Sequence, residues 1–419
     1  MNGGSALFLQ PSLNHCCGGH CRARKCEKEN FTSTLVMYSE ERSNSLRLRL
    51  SAPHLPALDG IRGVAAFSVV FFHFGIAWSP AGLGVLSFFV LSGFLITWLL
   101  LKEYDRSGSI SLRNFYARRS LRIFPAFYAY WTICIALLLW RHPGQILWPQ
   151  AWSAFFYVNN YYQALNGHIS SVFSHTWSLA IEEQFYLLWP AALILLLRRT
   201  RQPVFWLSVA IGFISLHRLA LQFLLHVHEV YIYEAFETRA DSLLVGCLLA
   251  ILLRRGYLIG FWRVICAHSA LPLITLSALV VSLILGSRYG VAYRNVIAFF
   301  LEPILVALLI VQLISVSDAG PWSFINGRVM RFLGRISYSL YLYQQLLLYP
   351  AKAALHSLPT ILQLIGGSCV VIAGAVFSYY MIERPFLRLK HLFSAPSIKL
   401  GVDETATALT RDTVSVQFL

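Results

Sequence analysis

The chain has 419 residues, of which 57% are hydrophobic and only 13% charged, with a mean hydropathy of +0.60. An average soluble domain carries about a quarter charged residues, and a soluble chain of this length would need two or three domains with polar faces; between Leu55 and Arg388 there is no such stretch. The net charge of +15 comes without a compact basic domain, so it speaks for membrane topology and contact with anionic lipid, not for nucleic acid.

In chain order, residues 1–54 read as a polar, disordered cytoplasmic lead that lacks the apolar core and cleavage site of a secretory signal. Cys16, Cys17, Cys21 and Cys26 lie there with His15 and His20, at spacings that match no standard zinc finger. Met37 is an alternative start that would remove them, and no metal site is expected. Ten apolar runs follow, near 58–77, 83–101, 121–140, 177–197, 204–225, 239–254, 265–285, 295–315, 331–350 and 361–381, each close to the roughly 20 residues a membrane helix needs. The expected architecture is an all-α, polytopic transmembrane bundle of about ten helices over 55–391, with 392–419 a flexible cytoplasmic tail. The basic turns at 102–122, 198–201, 254–263, 328–335 and 384–390 all fall on one side of such a thread. That side is the cytoplasm by the positive-inside rule, with both termini inside and the longest loop, 142–176, outside. Residues 152–162, apolar but rich in aromatics and amides, read as an interfacial or re-entrant segment.

Polar residues inside the apolar runs are the informative ones, since an ionisable group at bilayer depth costs about 2.5 kcal/mol or more. In the first run Arg62 and His73 are close to three turns apart, on one helix face and about 16 Å from each other. In the second, Ser92-Gly93 reads as a packing seam. Arg113, Arg118, Arg119 and Arg122 precede Ile123-Phe124-Pro125; guanidinium forks at a helix start suit phosphate, although for this loop taken alone positive-inside anchoring is the favoured reading. The fourth run places His175 and Glu182 on one face, where the carboxylate either orients an imidazole or a sugar hydroxyl or is neutralised by an arginine of another helix. Arg239 and Asp241 suggest a structural pair, as do Arg218 and Glu302. Cys134, Cys247, Cys266 and Cys369 read as small hydrophobes.

Taken together, Leu58-Asp59-Gly60-Ile61-Arg62 through His73, Phe88 to Ile96, Arg118 to Pro125, Trp177 to Glu182 with Phe185-Tyr186, Arg239-Ala240-Asp241, Gly334 to Leu342 and Glu383-Arg384-Pro385 resemble, in order from about 55 to 390, the bacterial acyltransferase-3 family. That resemblance implies transfer of acyl groups, often acetyl from acetyl-CoA, to hydroxyls of lipopolysaccharide, capsule, peptidoglycan, other glycans or small glycosides in the bacterial cytoplasmic membrane. Its arginine-x10-histidine motif falls on Arg62 and His73 and its arginine-rich loop on Arg118, Arg119 and Arg122. The expected roles are then catalysis by His73, Arg62 and Glu182, and acyl-CoA binding by Arg118, Arg119 and Arg122. The acceptor, a glycan or lipid-linked sugar, is expected at His175, Trp177, Ser178, Tyr186, Arg239 and Asp241. Acyl-CoA is the donor substrate, and no resident cofactor is expected. Gln344 stands where many members have histidine, and an amide cannot shuttle a proton. Some relatives carry a C-terminal esterase domain; without one, acceptor transfer is completed by the membrane domain or by a separate periplasmic partner. The competing class is a transporter or flippase, against which stand the absence of an inverted repeat and an arginine cluster better suited to a nucleotide-bearing donor.

Overall fold

The computed structural model describes residues 46–393, without Arg47, Pro53, 77–79 and Ala319, and it is helical, with no strand among the described residues. A helix bonds its own backbone within one segment, which is what a chain surrounded by hydrocarbon requires. The first half forms α1 (Pro56–His73), α2 (Ala81–Ser107), α3 (Leu112–Arg141), the short α4 (Trp148–Phe155) and α5 (Asn159–Asn166), α6 (Thr176–Arg199) and α7 (Pro203–Phe223). The second half forms α8 (Glu229–Glu234), α9 (Phe236–Arg255), α10 (Ile259–Ile265), α11 (Leu271–Tyr293), α12 (Phe299–Val316), α13 (Arg328–Arg335), α14 (Ser337–Ala354), α15 (Thr360–Ser378) and α16 (Arg384–Arg388).

Each of the ten apolar runs holds one helix of 18 residues or more, so the all-α bundle stands. About ten crossings are not confirmed. Six helical stretches are long and apolar enough to span a membrane, or seven if the bent pair Glu229–Arg255 and Ile259–Ile265 counts as one. The polar residues explain part of the shortfall: α1 carries Asp59, Arg62 and His73, and α14 carries Gln344, Gln345 and Lys352. Moreover, the single stretch Leu271–Val316 folds back on itself. It breaks at Gly290, whose φ is 65°, and Thr275 then bonds Gln312 at 2.9 Å while Ser282 bonds Glu302 at 2.8 Å.

Small residues set the closest helix approaches. A Cβ on Gly93 of α2 would stand 1.9 Å from the Leu243 carbonyl of α9, and one on Gly246 would stand 2.1 Å from the Val90 carbonyl; the seam expected at Ser92-Gly93 is therefore α2 against α9. The turn between α2 and α3 is equally specified. Gly108 ends α2 at a φ of 69°, a left-handed cap that a side chain disfavours, and Ser111 caps α3 by accepting from the Asn114 N–H at 3.4 Å. That reversal puts Arg118, Arg119 and Arg122 on the first three turns of α3. Their end of the bundle gathers other basic turns: Arg254 bonds Asp105 at 2.8 Å and Arg118 bonds the Phe393 carbonyl at 2.7 Å. At the opposite end the long loop folds as α4 against α3, with the Trp131 indole donating to the Ala151 carbonyl at 2.8 Å, and as α5 against α6, with the Gln184 amide donating to Asn160 Oδ1 at 2.9 Å.

Three expectations are corrected. Arg218 pairs with Asp241 at 2.7 Å, both almost wholly buried, and not with Glu302; α7 and α9 pack directly, whereas Glu302 turns to Ser282. Asp241 is therefore not the partner of Arg239. The lead expected to be disordered to residue 54 is, over its described part, helical near Leu46–Ser51 and docked: Leu46 and Leu50 are buried, and Arg49 reaches the Ile314 carbonyl at 2.9 Å and Asp318 at 2.9 Å. The Cys/His cluster, Met37 and the tail after Phe393 lie outside the described residues.

Candidate active site

Helices α1, α2, α3, α6 and α14 enclose a cavity of about 900 Å³, counted out to its open rim. Its lining on α2 runs from Val85 to Leu99, which is about 21 Å of helix axis. Ser92 meets Glu182 and Thr97 meets Trp189, so α2 and α6 run parallel here. This ordering places Ser178 toward the Val85 end, Glu182 opposite Ser92 at the middle, and Arg119, stacked on Tyr186 one turn further along α6, on the Leu99 side of it. Between lie apolar walls from Phe88, Leu91, Leu95 and Leu179, with Arg62 and Ser337 facing them.

Two of the three arginines expected to hold the donor line this cavity. The Arg119 guanidinium stacks over the Tyr186 ring at 3.6 Å and lies 3.9 Å from both Glu182 and Glu183. Arg122 is buried, and its Nη2 has no hydrogen-bond partner among the described residues. Arg118 is absent from the lining; it bonds Glu103 at 3.0 Å and the Phe393 carbonyl. Glu182 accepts from the Tyr186 hydroxyl at 2.7 Å and from Ser92 at 3.2 Å. It does not orient His175: that residue precedes the first residue of α6, and its ring turns to α14 instead. The carboxylate lies instead near an arginine of another helix, Arg119 of α3.

The histidines form a second cluster beyond the Ser178 end. His73 Nδ1 donates to the Val69 carbonyl at 2.8 Å, which leaves Nε2 as the acceptor facing the Gln345 amide nitrogen at 3.3 Å. The Gln345 Oε1 lies 3.1 Å from His175 Nδ1 and 3.1 Å from the Ser174 hydroxyl, and His175 Nε2 lies 3.0 Å from the Leu342 carbonyl. For all these contacts to be hydrogen bonds the two rings must carry three N–H protons, and exchanging the ends of the Gln345 amide leaves that number unchanged. Two neutral rings carry two, so the cluster is one proton short. Tyr341 links it to the cavity, donating to the His175 carbonyl at 3.0 Å and sitting 2.5 Å from Ser178 Oγ. Arg62 and His73, expected to share a face, thus open on different surroundings: Arg62 on the cavity, His73 on α14.

Sequence reasoning missed Gln345. The signal for it is the Gln344-Gln345 pair in an apolar run. Gln344 is fully buried with neither amide atom bonded among the described residues, and one residue further, about 100° round the helix, Gln345 reaches both histidines. The acceptor residues expected together are split. Trp177 packs between Phe89 and Tyr233, at ring distances of 6.3 and 5.2 Å, and Asp241 is held by Arg218. Arg239 instead lines a second cavity, of about 790 Å³, with Tyr233, Ser282, Ser287, Arg294 and Glu302. On the loop before α6, His168 bonds the Glu234 carboxylate, which holds its imidazole above the ordinary pKa of histidine.

Residues 55–380 match the family model described as an acyltransferase domain. The chain is 35% identical over 214 residues to the peptidoglycan O-acetyltransferase OatA of Listeria monocytogenes, covering 48% of this chain and 34% of the relative. It is 37% identical over 215 residues to the O-acetyltransferase OatA of Staphylococcus aureus, covering 48% and 35%. A further Staphylococcus aureus protein, provisionally named an O-acetyltransferase, is 32% identical over 358 residues, covering 80% and 57%. The chain thus spans about a third to a little over half the length of these relatives. No solved structure matches it.

Proposed function

This chain belongs to the acyltransferase family matched over residues 55–380, and on that premise we propose that it moves an acyl group, acetyl by analogy with its relatives' names, from acyl-CoA to a glycan hydroxyl. The observation that carries this reading is one cavity about 21 Å long with guanidinium groups toward one end and the Ser178 hydroxyl at the other, joined through Tyr341 to the histidine cluster beyond it. Arg119 and Arg122 suit the phosphates of the donor. Apolar walls suit its pantetheine arm, and Arg62, midway, suits an amide carbonyl of that arm, which leaves the thioester at the Ser178 end near the histidines.

The reaction then needs a base where the acceptor arrives. The acceptor oxygen attacks the thioester carbon, a C–O bond forms, the C–S bond breaks, and the thiolate leaves to be protonated. His73 Nε2, its tautomer set by the Val69 carbonyl, takes the hydroxyl proton, and the one-proton deficit of the histidine cluster gives that proton a place to reside. Gln345 positions both rings. Glu182, set among Arg119, Tyr186 and Ser92, fixes the guanidinium rather than the base. The arginine-bearing end faces the cytoplasm on this reading, the protein being integral to the bacterial cytoplasmic membrane with both termini inside.

Full-length protein in proteoliposomes, given radiolabelled acetyl-CoA and a bacterial glycan, should place label on the glycan. His73→Ala at equal membrane abundance should lower the rate by about 10²-fold or more; unchanged transfer by that variant would remove the base from the scheme.

A further inference from the structure

The second cavity lies at the ends of α2, α8, α9, α11 and α12 away from the arginine-bearing turns, and it contains a buried charge that the protein leaves unbonded. Arg239 is 2% exposed, and its Nε and Nη1 have no hydrogen-bond partner among the described residues. Three rings surround the guanidinium, Phe299 at 4.0 Å, Tyr233 at 5.4 Å and Phe89 at 6.0 Å. Such rings attract a cation but are not conventional hydrogen-bond acceptors, so those two nitrogens have no protein partner among the described residues. Arg218, equally buried, by contrast bonds Asp241 and the carbonyls of Thr238 and Asn295. Glu302 is a carboxylate in the same space, but it bonds Ser282, so two N–H groups of the Arg239 guanidinium stay unmet and an anion entering the cavity satisfies them.

The remaining lining defines what carries the anion. Glu302, held by Ser282 at 2.8 Å, and Ser287 face the same space. A carboxylate accepts from hydroxyls but repels a second anion, so it suits a ligand with hydroxyl groups on one side and a single anionic group on the other. Tyr233, part exposed, lines the same space and borders it with an aromatic ring. A phospholipid headgroup brings its phosphate with acyl chains and few hydroxyl donors, and it fits this lining less well. Tyr233 also packs on Trp177, the neighbour of Ser178 in the first cavity, so a sugar bound here lies one aromatic layer from the reacting end.

We propose that this cavity binds an acidic glycosyl residue of the acceptor, its carboxylate or phosphate on Arg239 and its hydroxyls on Glu302 and Ser282. This rests on the reading of the chain as a glycan acyltransferase. The test uses purified full-length protein in uncharged detergent with methyl β-D-glucuronide and methyl β-D-glucoside as probes, and with phosphatidylglycerol as competitor, affinities being read from ligand-induced shifts in thermal unfolding. The wild type should prefer the glucuronide by about tenfold or more, one charge-assisted hydrogen bond being enough for that. Arg239→Gln should lose the preference, Arg239→Lys should keep part of it, and Glu302→Gln should weaken both glycosides alike. Equal affinity for the two probes, or a preference that survives Arg239→Gln, overturns the proposal. So does Arg239-dependent binding of phosphatidylglycerol that the glucuronide fails to displace, which would make the cavity a lipid site. Label transfer from acetyl-CoA is measured on the same preparations: loss of transfer with the charge preference intact upholds the subsite and removes the catalytic reading, whereas transfer without the preference removes the subsite alone.

Discussion

Neighbouring arginines on one helix turn have different work here, and the difference is measurable. Arg119→Ala deletes the stack on Tyr186 and leaves Glu182 and Glu183 without their nearby cation, so the KM for acetyl-CoA should rise about tenfold or more. Arg118→Ala breaks a partly exposed pair with Glu103, a kind of contact worth at most about 1 kcal/mol, and should change KM by less than about threefold. Steady-state kinetics on the two variants distinguishes donor contact from anchoring at the basic end of the bundle. Gln345→Leu removes the bridge between the histidines but touches nothing in the donor cavity; kcat should fall about tenfold while the KM for acetyl-CoA stays unchanged. A rise in KM without loss of kcat would place Gln345 in substrate binding. Much of the residue scale was legible in sequence. Arg62, Arg119, Arg122, Ser178 and Glu182 do line one cavity, because polar groups in apolar helices turn toward enclosed space. Partners were not legible: nothing in spacing tells that Arg218 finds Asp241, that Arg118 turns outward, or that Gln345 and not Gln344 meets His73, since each depends on how helices distant in sequence rotate against one another.

Hydrophobic runs located the long helices because apolar length is a local property. What joins those helices is not local, and the α2–α9 seam shows it. Ser92-Gly93 was readable as a place of close approach, whereas its partner Gly246 carried no mark until the two backbones met. Gly93→Ala would put a methyl group 1.9 Å from the Leu243 carbonyl, an overlap that only backbone movement relieves, at about 1–3 kcal/mol. The midpoint of thermal unfolding in detergent should drop accordingly, while Gly144→Ala, with open space at its Cβ position, should leave it in place. The loop that carries α4 and α5 offers a pH test. His168 sits with its pKa raised from 6.5 by the Glu234 carboxylate. A raised folded-state pKa stabilises most fully below the unfolded value and loses that contribution as pH climbs through the folded one. Protection of the 159–175 segment from proteolysis should therefore weaken as pH rises above about 6.5, and His168→Asn should flatten the dependence. Equal slopes in the two proteins would show that the pair does not hold this segment.

At the scale of the molecule the bundle is polar in a chemical sense. Arginine-bearing turns, Asp105 and the Phe393 end gather at one pole; the histidine cluster and the Arg239 cavity lie toward the other, and the long cavity runs between them. Composition alone gave the membrane class, and the motif series gave the family; the number of crossings did not follow from either, because α1 and α14 trade apolar length for the residues of the site. Two cavities separated by the layer of Phe89, Trp177 and Tyr233 were invisible in sequence, since the walls of each come from five helices distant along the chain. A donor entering at one pole and an acceptor held near the other is the central claim, and sidedness tests it most directly. Full-length protein is reconstituted in sealed vesicles of known orientation, with glycan inside or outside and membrane-impermeant radiolabelled acetyl-CoA supplied to one face at a time. Label should reach glycan only when acetyl-CoA is on the face that bears Arg119. Equal labelling from either face, or glycan crossing the membrane without label, would contradict the account.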